Sequence, residues 1–352
     1  MDRRNVLKNA AGLGAALLCP WPAELLAQTS DDAILASVNP ELREMAKQML
    51  PYFRSQPPFS RATLAQMRSG TARYGREPTS DVPWEKRQIP GTKGQSPVDI
   101  YMINVRKESR RPAILHTHGG GYIAGTALSA VPDMQALSKA LDCVVVTVDY
   151  RLAPETTYRG SIEDNYAGLK WLHDNAVALG VDPARIAVMG ESAGGGHAAL
   201  LAITARDRRE VPVAFQCLIY PMLDDRTGTT RQVPSHVGKL VWTAASNRFG
   251  WESFLGTTPG GRIAPAGAVP ARVQKLAGLP PAFIGVGSID LFVDEDVDYA
   301  QRLNAADVPA ELIVVPGAFH GFDSLPVPSK IVQWFNAAKL DALRRGLGIA
   351  TA

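Results

Sequence analysis

Cysteine is scarce in this chain: Cys19, Cys143 and Cys217 are the three present among 352 residues. Disulfide-rich scaffolds are therefore excluded, and a chain of this length can bury a core that needs no cross-links. Cys143 and Cys217 lie in apolar strand patterns, LDCVVVTVDY and AFQCLIYP. We expect both to be buried free thiols that act as small apolar side chains.

Long apolar runs and an excess of one charge sign are also missing. The net charge is +3 with the positive residues dispersed, which disfavours a nucleic-acid partner. There is no internal repeat, no low-complexity tract, no GxxxxGK[ST] and no GxGxxG that opens a helix. Phosphate and dinucleotide binding are therefore disfavoured as well.

The N-terminal segment 1–27 has the parts of an export signal. Arg3 and Arg4 precede Leu7 and Lys8, and an apolar run of about ten residues follows, too short to span a bilayer. The paired arginines resemble a twin-arginine signal, which predicts a periplasmic or secreted protein without a stable membrane anchor after signal removal. The alternative is an amphipathic tail on a cytoplasmic protein.

Apolar runs alternate with helical patterns along most of the chain. This alternation predicts an α/β fold with a mainly parallel sheet flanked by helices. The predicted strands are 98–105, 113–116, 144–148, 186–189, 215–220, 282–286 and 311–315, and the predicted helices are 132–141, 163–179, 194–206, 296–306 and 330–347. We expect residues 28–83 to form N-terminal cap helices and residues 84–352 the main α/β domain with a cap insertion at about 224–279.

The stretch GESAG places Ser192 between a predicted strand and a predicted helix. G-x-S-x-G in this context is the nucleophile elbow described for α/β-hydrolases. The sharp turn crowds its neighbours, so that Gly190 and Gly194 must be small, and the helix N-terminus supplies free N–H groups.

A serine nucleophile needs a base that is oriented by an acid. In this fold class the chain order is serine, acid, histidine, and Asp290 and His320 follow Ser192 in that order, each just after a predicted strand. Asp294 and Glu295 are also near, but one helical turn further on, so Asp290 is the predicted acid.

Three consecutive glycines follow the predicted strand 113–116 in HTHGGGY. Bare backbone can approach a developing oxyanion closely, and we predict the amides of Gly120, Gly121 and Ala193 as its donors. His116 and His118 suggest a metal pair, but no third ligand is evident. We therefore expect a structural role for His118 and no bound metal ion.

HGGGY, DYRLAPE, GESAGG, the acid cluster at 290–295 and HGF, taken in order, resemble the hormone-sensitive-lipase-like family of α/β-hydrolase esterases. The resemblance spans about 98–323. It implies an eight-stranded, mainly parallel sheet, a helical cap, no cofactor and hydrolysis of short-chain acyl esters. Two features depart from the family pattern: the run 156–160, and Glu191 in place of the commoner aspartate.

The resulting hypothesis is a serine carboxylesterase that forms an acyl-enzyme on a small-molecule ester. Amidase or polysaccharide deacetylase activity on the same triad, and a non-catalytic ligand-binding relative, stay open as alternatives. The oligomeric state is open too. Tyr122, Trp242 and Trp251 are candidate substrate contacts, although aromatic residues in a cap more often form its core.

We predict no disulfide between Cys143 and Cys217. The resemblance implies that their strands lie three positions apart, roughly 14 Å at about 4.8 Å per strand, whereas a disulfide needs Cα atoms within about 7 Å. Mass spectrometry of the non-reduced protein should find both thiols free, and a bonded Cys143–Cys217 peptide would contradict this strand order.

Overall fold

A computed structural model describes residues 30–71, 77–92 and 94–350 of the chain, and the predicted export signal lies outside them. Its strands are β1 Trp84–Ile89, β2 Val98–Ile103, β3 Arg111–Thr117, β4 Val144–Asp149, β5 Val181–Glu191, β6 Phe215–Ile219, β7 Ala282–Gly287 and β8 Ala310–Val315. Its helices are α1 Asp31–Ser37, α2 Arg43–Ser55, α3 Leu64–Thr71, α4 Ala127–Leu141, α5 Tyr158–Asp174, α6 Ala176–Leu179, α7 Ala193–Arg208, α8 Ala244–Leu255, α9 Val293–Ala305 and α10 Lys330–Gly346.

The eight strands form one sheet in the order β1-β2-β4-β3-β5-β6-β7-β8. β2 pairs antiparallel with β1 and β4, and the remaining pairs are parallel. The carboxyl ends of β3, β5, β7 and β8 therefore meet at one edge of the sheet. Thr117 pairs with Gly190 in the β3–β5 register, which sets the loop after β3 beside the turn after β5.

Two layers of helices cover the two faces of the sheet. Leu169, Leu201 and Leu303, from α5, α7 and α9, belong to one buried cluster. The opposite cluster includes Val131 of α4 and Phe335 of α10. Parallel strands with both faces covered read as continuous apolar runs, and the sequence accordingly predicted β3 to β8, together with the antiparallel β2, which is also largely buried.

The strand missed by sequence reasoning is β1. Its sequence WEKRQI exposes five of six residues, because it is an edge strand paired on one side only. It therefore lacks the apolar pattern from which strands are predicted.

The predicted N-terminal cap, 28–83, divides between two environments. Ile34, Leu42 and Leu50 pack into the helical layer that contains α4 and α10. Leu64 of α3 instead joins a third cluster, which includes Trp251 and Phe254 of α8. The insertion at 224–279 contributes α8 and a short 3-10 turn at Pro270–Arg272.

Cys143 directly precedes β4 and Cys217 lies in β6, so β3 and β5 separate their strands. Both thiols are buried and free. Within the ranges that the structure describes, no helix is both long and apolar enough to cross a membrane.

Candidate active site

Ser192 occupies a strained turn between β5 and α7, with φ of 58° and ψ of −124°. The turn brings backbones into direct contact: a Cβ on Gly190 would lie 2.4 Å from the Gly194 carbonyl, and one on Gly194 would lie 2.0 Å from the Thr117 oxygen. Glycine is therefore required at both positions. The Ser192 N–H donates to Ile219 O at 2.9 Å, and its carbonyl accepts from Met222 N at 2.9 Å, which fixes the turn from both sides.

The structure brings Ser192, His320 and Asp290 together in one hydrogen-bonded chain. His320 Nε2 lies 2.9 Å from Ser192 Oγ, and His320 Nδ1 lies 2.8 Å from Asp290 Oδ2. An ionised carboxylate can only accept a hydrogen bond, so the proton of neutral His320 is on Nδ1. Nε2 is then free to accept the proton of the Ser192 hydroxyl. All three residues are buried.

Packing and a second buried ion pair hold the His320 ring in place. The ring centroids of Tyr220 and His320 lie 4.6 Å apart, and the Tyr220 hydroxyl donates to Asp323 at 2.6 Å. Asp323 pairs with Lys339 at 2.8 Å. Burial disfavours ionised Asp323, but the Lys339 charge and the hydrogen bonds from Lys339 and Tyr220 together outweigh this effect and lower the pKa of Asp323 below its usual value.

The neighbouring acids do not contact His320. Asp294 is exposed. Glu295 is buried, and its Oε1 accepts from the amides of Leu223 and Asp224 at 2.6 and 3.1 Å. Burial raises the pKa of Glu295 well above its usual value. Glu295 therefore fixes the segment after β6, and Asp290 is the acid that faces the histidine.

The three residues predicted to supply oxyanion amides either line the same cavity as Ser192 or follow it directly in the chain. Gly120 and Gly121 have φ of 124° and 61°, and both line the cavity above Ser192. Ala193 is the first residue of α7, where an N–H has no intrahelical acceptor. Among the described residues, the Gly120, Gly121 and Ala193 amides donate to no backbone carbonyl, so they are available to a ligand oxygen.

His116 and His118 serve two separate structural contacts. His116 lies between Thr147 Oγ1 at 2.8 Å and Glu191 Oε2 at 2.9 Å. His118 Nδ1 lies 2.8 Å from Gly119 O, and burial lowers the pKa of His118 to about 4. Nowhere in the described ranges do three or more His, Cys, Asp or Glu side chains group to hold a metal ion.

A cavity of about 1160 Å³ opens above Ser192 and His320. Much of its wall is apolar and comes from the N-terminal region and the cap. Among the residues that line it are Phe53, Phe59, Met67, Trp84, Leu128 and Trp242. Sequence reasoning missed all of these except Trp242, because nothing in their local sequence marks them as facing a cavity.

The prediction that Tyr122 and Trp251 border the cavity is wrong. Tyr122 is 1% exposed, and its hydroxyl donates to Met222 O at 2.8 Å. Trp251 is fully buried, with its ring 5.2 Å from Tyr122, and Tyr122 stacks on Phe254 at 4.0 Å. Both residues form the cap core. Of the three candidate contacts, only Trp242 lines the cavity.

Comparison with known proteins agrees with this fold. A family model described as alpha/beta hydrolase fold matches residues 114–324. The chain belongs to this family. Within it, the chain is a member of the hormone-sensitive-lipase-like branch and an enzyme of the carboxylesterase type.

Similar proteins are named as esterases or ester hydrolases. The carboxylesterase NlhH of Mycobacterium tuberculosis is 35% identical over 265 residues, 71% of this chain and 78% of that protein. An ethyl acetate hydrolase of Pseudomonas putida is 31% identical over 60% of this chain and 65% of its own length. The solved structure of a bacterial heroin esterase matches with a TM-score of 0.79 and 35% identity, over 89% of this chain and 99% of that one.

Gly121→Ala should destabilise the fold by about 1–3 kcal/mol more than Gly267→Ala, because only the first change overpacks the structure. Both glycines have positive φ, but a Cβ on Gly121 would lie 2.1 Å from the Trp242 ring, whereas one on Gly267 meets nothing within 4 Å. Urea unfolding of the two variants measures the difference. Equal losses would show that the contact between Gly121 and Trp242 is not tight.

Proposed function

We propose that this enzyme hydrolyses carboxylic esters with short acyl chains, and that Ser192, His320 and Asp290 are its catalytic residues. The observation that supports the proposal most directly is the hydrogen-bonded chain from Ser192 Oγ through His320 to Asp290. Ser192 and His320 line a largely apolar cavity together with Gly120 and Gly121, whose amides donate to no backbone carbonyl among the described residues.

The geometry supports a two-step acyl transfer. Ser192 Oγ attacks the ester carbonyl while His320 Nε2 takes its proton, and Asp290 stabilises the imidazolium that forms. The amides of Gly120, Gly121 and Ala193 hold the negative charge on the carbonyl oxygen, and each such donor contributes about 2.7–4 kcal/mol to lowering the barrier. His320 then returns the proton to the leaving alcohol, and water attacks the acyl-enzyme by the same route.

Trp242 supports the preference for short acyl chains. Its ring packs against Gly121, the residue whose amide faces the carbonyl oxygen, and it lines the cavity at that point. A bulky wall this close to the reacting carbon leaves little room for a long chain. The name of the ethyl acetate hydrolase relative describes a short acyl ester as well.

Ser192→Ala should lower kcat by roughly a million-fold, as loss of a triad nucleophile does in subtilisin, and should abolish labelling by a fluorophosphonate. Hydrolysis of p-nitrophenyl acetate measures the loss. Ser324→Ala is the control, since this serine is exposed and its hydroxyl bonds, among the described residues, to Gly321 O alone, and we expect wild-type activity. Activity of Ser192→Ala within tenfold of wild type would refute the catalytic assignment. Arylamides and acetylated sugars, assayed in parallel, test the competing amide and polysaccharide substrates.

Trp242→Leu should raise kcat/KM for the octanoate ester relative to the acetate ester by about tenfold, because the smaller side chain makes room for about one further methylene, and one methylene accommodated in an apolar pocket contributes a factor of about ten. Trp251→Leu is the matched control: it also removes a cap tryptophan, but one outside the cavity. It should lower stability and leave the ratio unchanged. An unchanged ratio in Trp242→Leu would remove this residue from the acyl site.

We also propose export of the protein by its segment 1–27, on the basis of Arg3 and Arg4 ahead of the apolar run. When the full chain is expressed, the protein should be recovered outside the cytoplasm. The double substitution Arg3→Lys and Arg4→Lys should keep the protein inside the cytoplasm. Fractionation with an activity assay distinguishes the two. Retention of the unaltered chain in the cytoplasm would overturn the proposal.

A further inference from the structure

Arg68 joins its own helix, α3, to two segments that are far apart in the sequence, one at Ile123 and the other at 153–155. Its Nε donates to Ile123 O at 2.6 Å, and its Nη2 donates to Ala153 O at 2.9 Å. Nη1 and Nη2 also donate to the two carboxylate oxygens of Glu155, both at 2.8 Å. The planar guanidinium is suited to such a bidentate pair and keeps its remaining donors for other acceptors.

One of the two carbonyls that Arg68 binds, Ile123 O, belongs to the oxyanion loop, residues 119–124, and the other, Ala153 O, belongs to a segment that is bonded to this loop. Ile123 N and Ala124 N both donate to Gly120 O, at 3.1 and 2.9 Å. Ala153 N donates to Tyr122 O at 2.9 Å. Arg68 therefore binds the carbonyl of the Ile123–Ala124 peptide group, whose N–H donates to Gly120 O, and the carbonyl of Ala153, a residue whose own N–H donates to Tyr122 O.

This loop needs such support because its backbone is strained. Gly120, Gly121 and Tyr122 have φ of 124°, 61° and 67° in succession. A positive φ at a residue with a side chain costs about 1–3 kcal/mol and persists only where the surroundings enforce it. If the loop relaxed, the Gly120 and Gly121 amides would turn away from the position of the carbonyl oxygen.

We propose that Arg68 is a positioning residue for the oxyanion hole, an inference that rests on the proposed ester hydrolysis. The guanidinium, oriented by Glu155, holds Ile123 and Ala153 so that the Gly120 and Gly121 amides face the developing oxyanion. An N-terminal cap helix thereby sets the geometry of the catalytic loop. Arg68 acts through these carbonyls and takes no part in proton transfer.

The test compares Arg68→Gln with Arg185→Gln. Arg185 is a matched control, because it too donates to two main-chain carbonyls of a distant segment, Leu347 O at 2.7 Å and Gly348 O at 2.8 Å, away from the cavity. The readouts are kcat and KM for p-nitrophenyl acetate, the pH dependence of kcat/KM, and the inhibition constant of a trifluoromethyl ketone. That ketone forms an oxyanion when Ser192 adds to it, whereas KM reports mainly on binding of the uncharged ester.

Arg68→Gln should lower kcat about 10–100-fold, the size of effect that a misplacement of about 1 Å causes. The inhibition constant of the ketone should rise by a similar factor, with KM changed less than about threefold and the midpoint of the pH profile unmoved, because His320 and Asp290 keep their places. Arg185→Gln should alter none of these values. Arg68→Lys keeps the charge but cannot reach three acceptors at once, and should show a smaller loss in the same two quantities.

A kcat and a ketone affinity that match those of Arg185→Gln would overturn the proposal, as would a rise in KM alone. If circular dichroism shows that Arg68→Gln does not fold, Arg68→Lys tests the proposal by the same criteria. Failure of the proposed function is a separate outcome, because the wild-type protein itself would then neither hydrolyse the ester nor bind the ketone.

Discussion

The contact between bare backbones around Ser192 is the constraint on which the site depends. Gly190, Gly194 and the Thr117 carbonyl lie so close that no side chain fits among them. This closeness lets the chain reverse from β5 into α7 with Ser192 at a positive φ, which places Ser192 at the sheet edge, where it lines the cavity. Because β3 is the neighbour of β5, the same contact places the glycine loop beside the hydroxyl.

Burial gives the remaining interactions their strength. Asp290 is fully buried, and its charge is balanced by the His320 N–H at 2.8 Å and by the Phe292 amide at 3.0 Å. Polar contacts are stronger in such surroundings, but an unpaired group is costly. The ring of His320 accordingly rests on Tyr220, which Asp323 and Lys339 hold in turn. Each of these polar groups that positions another is therefore itself hydrogen-bonded.

The sequence predicted the centre of the site better than its walls. Ser192, Asp290 and His320 each follow an apolar strand, and parallel strands deliver their carboxyl ends to one edge, so convergence follows from local patterns. The environment of Tyr122 could not be predicted in this way. Its φ of 67° turns its side chain into the cap core, and no sequence pattern reveals that angle. Arg68 contacts carbonyls 55 and 85 positions away, a relation that only the folded chain creates.

The most direct test of this account is a crystal structure of the protein after reaction with a p-nitrophenyl phosphonate, whose tetrahedral adduct imitates the acyl-transfer intermediate. The account predicts phosphorus bonded to Ser192 Oγ, with the phosphonyl oxygen about 2.7–3.1 Å from the amide nitrogens of Gly120, Gly121 and Ala193. An adduct on another side chain, or a phosphonyl oxygen turned away from these amides, would contradict it.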